Sequence, residues 1–306
     1  MNGKHAYMIM AHNDFPILIE ILKELDHERN EIFLHIDKKT TDYPKKQIFD
    51  SVKRGKLYLF QNISVSWGGY SQIDCELLLM RKAVEAGRHD YYHLSTGATF
   101  PLKTVQEILD FFDQHKGFQF IGYDNSKDYS GRVKRYNVFN EIGKASTKSD
   151  QRKAFIRNKF RGLQQRIGYV YGPAQNIEFK KGFVYWSLTE DAVKFILGKS
   201  AEIEKVFKHS FCGDELFVQT FIYHSSFKEK IYNYEDEYKS CLRYVKPVQS
   251  WEKNFSGSSV TQSNIAENGI TYEDIDVCKK SDMLFGLKFV GKAGLEAIDY
   301  LRKSRR

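Results

Sequence analysis

Ala6-Tyr-Met-Ile-Met-Ala11 is a continuous apolar run of strand length, and the residues after it change period. Asn13 and Asp14 are of N-cap type, Pro16 suits a first helical turn, and Ile17, Leu18, Ile21, Leu22 and Leu25 fall on one helical face. The pattern is strand followed by helix, and it recurs along the chain. Ile32-Phe-Leu-His-Ile36, ending on Asp37, and Leu57-Tyr-Leu-Phe60 read as strands. Ser71-Gln-Ile-Asp74 has the form of a capping box, opening a helix with Leu77, Met80 and Val84 inward and Gly87 as its stop. Tyr91-Tyr-His-Leu94 resumes the sheet. Thr104 and Glu107 open a further helix that buries Ile108, Phe111 and Phe112, and Phe118-Gln-Phe-Ile121 closes the series. Strands separated by helices imply an α/β fold with a Rossmann-like, mostly parallel sheet flanked by helices.

Beyond residue 122 the pattern loosens. Gln151 to Gly168 can form a helix with Phe155, Ile156, Phe160, Leu163 and Ile167 on one side and basic residues around the rest. Two readings stand open for it: an interfacial helix, or a core-packed helix with a solvated basic face. Gly182-Phe-Val-Tyr-Trp-Ser-Leu-Thr189 reads as a strand, Thr189 as a cap, Gly213-Asp-Glu-Leu as a helix start and Gln249 to Asn268 as a long loop.

With 42% hydrophobic and 28% charged residues and only 5 Pro in 306, the chain is neither a disordered tail nor a fibre. No apolar stretch approaches the ~18 residues of a membrane span, and the start lacks a signal-peptide core, so neither export nor spanning is expected. Cys75, Cys212, Cys241 and Cys278 form no C-x-x-C pair, which argues against a zinc site or disulfide framework and fits a reducing cytoplasm. Charge is uneven. Residues 127–166 hold 12 Lys/Arg against 3 Asp/Glu, while the rest of the chain holds 35 against 36, so this segment carries all of the net +8. Such a patch suits nucleic acid, anionic lipid or a phosphorylated substrate.

In open α/β sheets ligands bind beyond the carboxyl ends of the strands, which makes His12, Asp37, Ser95 and Thr96 the first candidates, each with a helix-cap or loop role as its alternative. The dinucleotide fingerprint, the P-loop, H-E-x-x-H and G-x-S-x-G are all missing from the sequence.

An ordered set of segments then resembles the core-2/I-branching β-1,6-N-acetylglucosaminyltransferases and their peptide O-xylosyltransferase relatives, bacterial members included. The opening strand through His12 is similar to the family's first strand. His35-Ile-Asp-Lys38 resembles its H-x-D-x-K segment, Ser66-Trp-Gly-Gly69 its W-G-G turn, and Tyr92-His-Leu-Ser-Thr-Gly-Ala-Thr-Phe-Pro-Leu-Lys103 its L-S-G-x-D-x-P-L-K stretch. Arg132-Val-Lys-Arg-Tyr136 resembles a basic-aromatic acceptor segment, and Gly182-Phe-Val-Tyr-Trp186 the G-S-x-W strand. Gly213-Asp-Glu215 resembles the P-D-E helix start, and Leu284-Phe-Gly-Leu-Lys-Phe289 the L-F-A-R-K-F strand. The segments cover about nine-tenths of the chain.

The resemblance implies one GT-A-like domain over 1–306, with 1–122 as the nucleotide-sugar half and 123–306 as the acceptor and catalytic half. It implies an inverting transfer of sugar from a UDP-sugar to a glycan hydroxyl, with no cofactor and no metal. N-acetylglucosamine is the first expectation for the sugar, with galactose or xylose as alternatives. The acceptor would be a surface polysaccharide, including one carried on a lipid pyrophosphate, with the enzyme cytoplasmic or peripheral at the inner face of the membrane through residues 127–166. Glu215 then resembles the general base, with Asp214 as its alternative. Donor contacts fall to His12, Asp37, Trp67, Gly68, Lys288 and Arg243, with Lys246 a further cation. Acceptor contacts fall to Arg132, Arg135, Tyr185, Trp186 and Trp251. Asp274-Ile-Asp276 has the letters of a D-x-D but lies late and in a helical context, which reads as surface. Thr99, Phe183, Gly213 and Leu287 depart from the family pattern. Nucleic acid is not an expected partner; a nucleic-acid-binding or noncatalytic protein is the competing reading.

Overall fold

The computed structural model describes residues 3–246 and 269–305. The first part of the chain runs β1 His5–Ala11, α1 Phe15–Leu25, β2 Asn30–Ile36, α2 Lys45–Asp50, β3 Lys56–Phe60, α3 Tyr70–Ala86, β4 Tyr91–Thr96, β5 Thr99–Pro101 and α4 Val105–Gln114. An irregular stretch leads to α5 Lys148–Arg166, then β6 Ser187–Thr189, α6 Glu190–Gly198, α7 Ser200–Phe207, α8 Phe217–Tyr223, α9 Glu237–Cys241 and β7 Arg243–Val245. Helix Ile275–Lys280, β8 Phe285–Leu287 and helix Gly291–Ser304 follow. The α/β class expected from the sequence is the one found. The main sheet has the order β3-β2-β1-β4-β6, parallel except for β6, and β5, β8 and β7 form a small second sheet.

Strand alternation divides the core between the two faces of the sheet. Ala6, Met8, Phe33, Tyr92 and Leu94 pack with α3, α6 and α8. Tyr7, Ile9, Ile32, Leu34 and Tyr91 pack with α1, α4 and the C-terminal helix. That last helix is tied to α1 by Arg302, whose Nε lies 2.9 Å from Glu24, and Asp14 accepts a hydrogen bond from the Gly291 N–H at 2.6 Å. Residues late in the chain therefore complete the core of its first part. Among the described residues no helix is long and apolar enough to cross a membrane.

Local signals were read unevenly. The Thr104–Glu107 capping box is present in both directions. At α3 the cap position is Gly69, and Ser71 instead accepts from the Ser66 N–H at 2.8 Å and donates to Glu141 at 2.6 Å. Phe118 to Ile121 makes only isolated bridges, Gln119 to Ile231 and Phe120 to Ser187. The strand read over 182–189 is reduced to Ser187–Thr189, because Gly182 N–H donates to Glu215 O at 3.0 Å and Phe183 O accepts from Gln219 at 2.8 Å, away from the sheet.

Helix α5 overturns the core-packed reading. Its buried residues are Arg157 and Gln164, while Phe155 is 63% exposed and Ile167, just past its end, 68%. The inward face is polar because Gln164 pairs with the Tyr136 backbone in both directions, at 2.8 and 2.9 Å, and Arg157 lies over the Phe211 ring at 4.6 Å.

Candidate functional site

The strand order reverses between β1 and β4, and the carboxyl ends of β1, β2 and β4 open on one side of that switch point. His12 follows β1 and Asp37 follows β2. Asp37 caps its own turn, accepting from Lys39 N–H at 2.9 Å. Lys288 reaches this place from the far end of the chain, because β8 pairs with β5, Thr99 opposite Leu287, and Phe289 N–H donates to Ala98 O at 2.9 Å. Packing, and then the charges of Lys144, Lys39 and Lys288, keep the His12 imidazole below its ordinary pKa against the opposing pull of Asp37. Lys288 is accessible yet crowded, and that packing together with Lys144 holds its ammonium below the ordinary lysine range. Among the described residues neither Lys144 nor Lys288 has a carboxylate partner, whereas Lys39 meets Asp37 at 3.5 Å. The tertiary fold thus joins His12, Asp37 and Lys288 and adds Lys144, which the sequence reading had only counted within the basic segment. Unpaired cations crowded at strand ends form a site for an anion.

The Trp67 turn sits at the start of α3. Gly68 has φ +74°, and a Cβ there would lie 2.9 Å from Phe211; at Gly69 a Cβ would meet the Glu141 carboxylate. Gly68 needs glycine for its backbone and for the close approach of Phe211, whereas at Gly69 only the mobile end of Glu141 would have to shift. Trp67 is 46% exposed, with its edge on Phe211 at 5.7 Å between centroids. Gly68 O accepts from Cys212 N–H at 2.9 Å, and its N–H donates to the Gln72 side chain, whose amide in turn donates to Asp214 at 3.1 Å. Gln72 therefore bridges the tryptophan turn to the acidic turn.

That acidic turn, Gly213–Glu215, is a single 3-10 turn ahead of α8, and its two acids point to different surroundings. Asp214 is buried; burial first, and the Glu215 charge second, push its carboxyl up to about 7. Beneath it Glu76 is fully buried with both oxygens unpartnered among the described residues, and burial followed by the Asp214 charge raises it far above the usual carboxylate range. Glu215 keeps about a third of its side chain exposed, and its Oε2 accepts from Arg132 Nη1 at 2.5 Å. Burial opposes the Arg132 charge, but the Glu215 pair holds the guanidinium above its ordinary range. Tyr129 lies beneath both Arg132 and Lys181, at 5.2 and 5.1 Å from its centroid, and donates to Asp124 at 2.5 Å. Lys181 pairs with Asp124 at 3.2 Å and Glu237 at 3.8 Å. Gln72, Asp124, Tyr129, Lys181 and Glu237 were not singled out from the sequence as site residues; the aromatic inside the basic segment was the one available signal.

Other expected contacts are corrected. Arg243 is fully enclosed, donating to Cys241 O at 2.6 Å and Leu94 O at 3.3 Å over the Phe285 ring at 4.3 Å, and burial lowers it to about 10; it ties the two sheets together and does not face the donor end. Trp186 is fully buried and Tyr185 nearly so, both inside the core, where no acceptor can stack on them. Burial pushes the Tyr185 hydroxyl up to about 12, and Thr96, at the end of β4, meets Thr99 at 3.3 Å. Arg135 donates to Tyr169 O at 3.0 Å, apart from the Glu215 pair. Lys246 is held by Asp274 at 2.7 Å; Asp274 is thus an ion-paired cap, not solvated surface. Trp251 and the expected loop 249–268 lie outside the described residues. Among the described residues no three His, Cys, Asp or Glu side chains gather to hold a metal ion.

Residues 5–266 match the Core-2/I-Branching enzyme family. No curated protein matches the chain. Among solved structures, core-mannan synthase A from Aspergillus fumigatus, in its Mn/GDP form, is similar at 14% identity and TM-score 0.42, over 75% of this chain and 72% of that one. Mouse xyloside xylosyltransferase 1, apo form, is similar at 10% identity and TM-score 0.42, over 93% of this chain and 97% of that one.

Proposed function

The chain belongs to the Core-2/I-Branching enzyme family, a sugar-transferring family, and from that premise we propose that it moves a sugar from a UDP-sugar to a hydroxyl of a glycan acceptor with inversion and without a metal. The observation that carries this reading is the presence of two unlike poles: cations Lys288 and Lys144 with His12, and the Glu215–Arg132 pair. Asp37 and the Trp67–Gly68 turn complete the donor side of the proposal.

The chemistry needs one base and one anion site. The acceptor oxygen attacks the anomeric carbon while its proton passes to Glu215. The new C–O bond forms as the bond to the diphosphate breaks, and UDP leaves with the electron pair, its charge met by Lys288 and Lys144. Glu215 suits the base because Oε2 is held by Arg132 while, among the described residues, Oε1 accepts no hydrogen bond. Asp214 has a raised pKa, yet it is buried and bonded to Gln72, out of reach of an acceptor.

N-acetylglucosamine is the proposed sugar, with galactose or xylose as alternatives, and the proposed acceptor is a surface polysaccharide precursor, including one on a lipid pyrophosphate. UDP release, measured across a panel of UDP-sugars with and without EDTA, tests the reading. Release from one donor, unchanged by EDTA, supports it; no release from any donor in the presence of acceptor glycans overturns it.

A further inference from the structure

Helix α5 turns its apolar side outward. At ~100° per residue, Phe155, Ile156, Phe160, Leu163 and the following Ile167 form one stripe, and they are 63%, 51%, 39%, 53% and 68% exposed. Lys148, Arg152, Lys159 and Arg166 flank or interrupt that stripe, and all are exposed. The opposite side is spent on the protein: Gln164 on the Tyr136 backbone, Arg157 and Arg161 over Phe211 at 4.6 and 5.8 Å. The helix is therefore anchored by polar contacts and presents an apolar stripe set among cations. Exposed aromatics and aliphatics in such a patch mark an interaction surface.

We propose that the outward face of α5 docks on an anionic lipid bilayer, with Phe155, Ile156, Leu163 and Ile167 entering the headgroup–acyl boundary and the flanking lysines and arginines meeting lipid phosphates. Charge selects this occupant. The segment that holds the helix carries the chain's whole positive excess, 12 Lys/Arg against 3 Asp/Glu in 127–166, so two copies face to face repel while an anionic surface attracts. The helix adjoins the proposed site through its inward side, opposite the patch, since Phe211 touches Arg157 on one side and Trp67 on the other. The proposal rests on the surface itself and holds whichever sugar is moved. It also revises which charges matter, because Arg157 and Arg161 lie on the protein side and belong to the anchoring of the helix.

The test is sedimentation of the full chain with vesicles of phosphatidylcholine containing about one third phosphatidylglycerol, against phosphatidylcholine alone, at ~50 and ~500 mM NaCl. Binding is expected to the anionic vesicles, weakened at high salt. A triple Phe155→Ser, Ile156→Ser, Leu163→Ser variant and a triple Arg152→Glu, Lys159→Glu, Arg166→Glu variant should each lose at least about tenfold in affinity. Lys292→Glu, on the exposed C-terminal helix, serves as the charge control and should bind as the parent does. Unfolding midpoints show whether the variants keep their fold, and transfer to a soluble acceptor, measured in parallel, separates failure of this proposal from failure of the enzymatic one. No binding by the parent, equal binding to neutral vesicles, or a parent dimer that Phe155→Ser converts to monomer would each overturn it.

Discussion

Arg132 and Glu215, 83 residues apart in sequence, meet through Nη1 and Oε2 at 2.5 Å. The pair fixes one oxygen of the carboxylate, while among the described residues the other accepts no hydrogen bond. Glu215→Gln is expected to keep donor binding while transfer falls by ~10²–10⁴, the usual contribution of a positioned base. Arg132→Ala should lower turnover by about tenfold or more, with little change in UDP affinity, because the carboxylate loses its orienting partner. Single-turnover rates and UDP titrations separate the two effects. Transfer that survives Glu215→Gln but not Asp214→Asn would reverse the assignment of the acids.

Asp214 makes stability depend on pH. Its carboxyl titrates near 3.8 in an ordinary setting and at about 7 in the fold. Between those values the folded state holds a proton that the unfolded chain has released, so stability is full below the lower value and falls as pH rises through the upper one. The difference is worth up to ~4 kcal/mol at 1.36 kcal/mol per pH unit. Asp214→Asn removes this slope and should unfold at a higher temperature than the parent at pH ~8, with the advantage fading toward pH ~4. Glu76→Gln should act in the same sense. Parallel melting curves for parent and variants across that range would contradict the burial argument.

Lys288→Ala and Lys144→Ala should each weaken UDP by about tenfold while leaving uridine nearly unaffected, since a lysine ammonium acts on the diphosphate as a point charge. Calorimetric titration of UDP is expected to give similar affinities in EDTA and in Mn²⁺. A strict need for metal would defeat the metal-free reading.

Gly68→Ala combines a positive φ with a Cβ 2.9 Å from Phe211, the ring against which Trp67 packs. The cost is expected at ~1–2 kcal/mol in stability, read from denaturant midpoints. Donor affinity should fall further than this loss of stability accounts for, if Trp67 contacts the nucleotide sugar.

By itself the sequence determined the alternation of strand and helix through residue 114 except for α2 and β5, the Thr104–Glu107 cap and the ordered segments that carry the family resemblance, because these depend on neighbours a few positions away. It also brought out Glu215 and Lys288, as members of those segments. Only the tertiary structure decided that Lys144 stands with Lys288, that Arg243 and Trp186 are enclosed, and that Gln72 joins Gly68 to Asp214, since each depends on which distant element packs on which. Helix α5 shows the limit most plainly. An apolar stripe has a period but no sign: the same spacing of Phe155, Ile156, Phe160, Leu163 and Ile167 serves a helix turned inward or outward. The choice was made by Tyr136 and Phe211, which engage Gln164 and Arg157 on the opposite side.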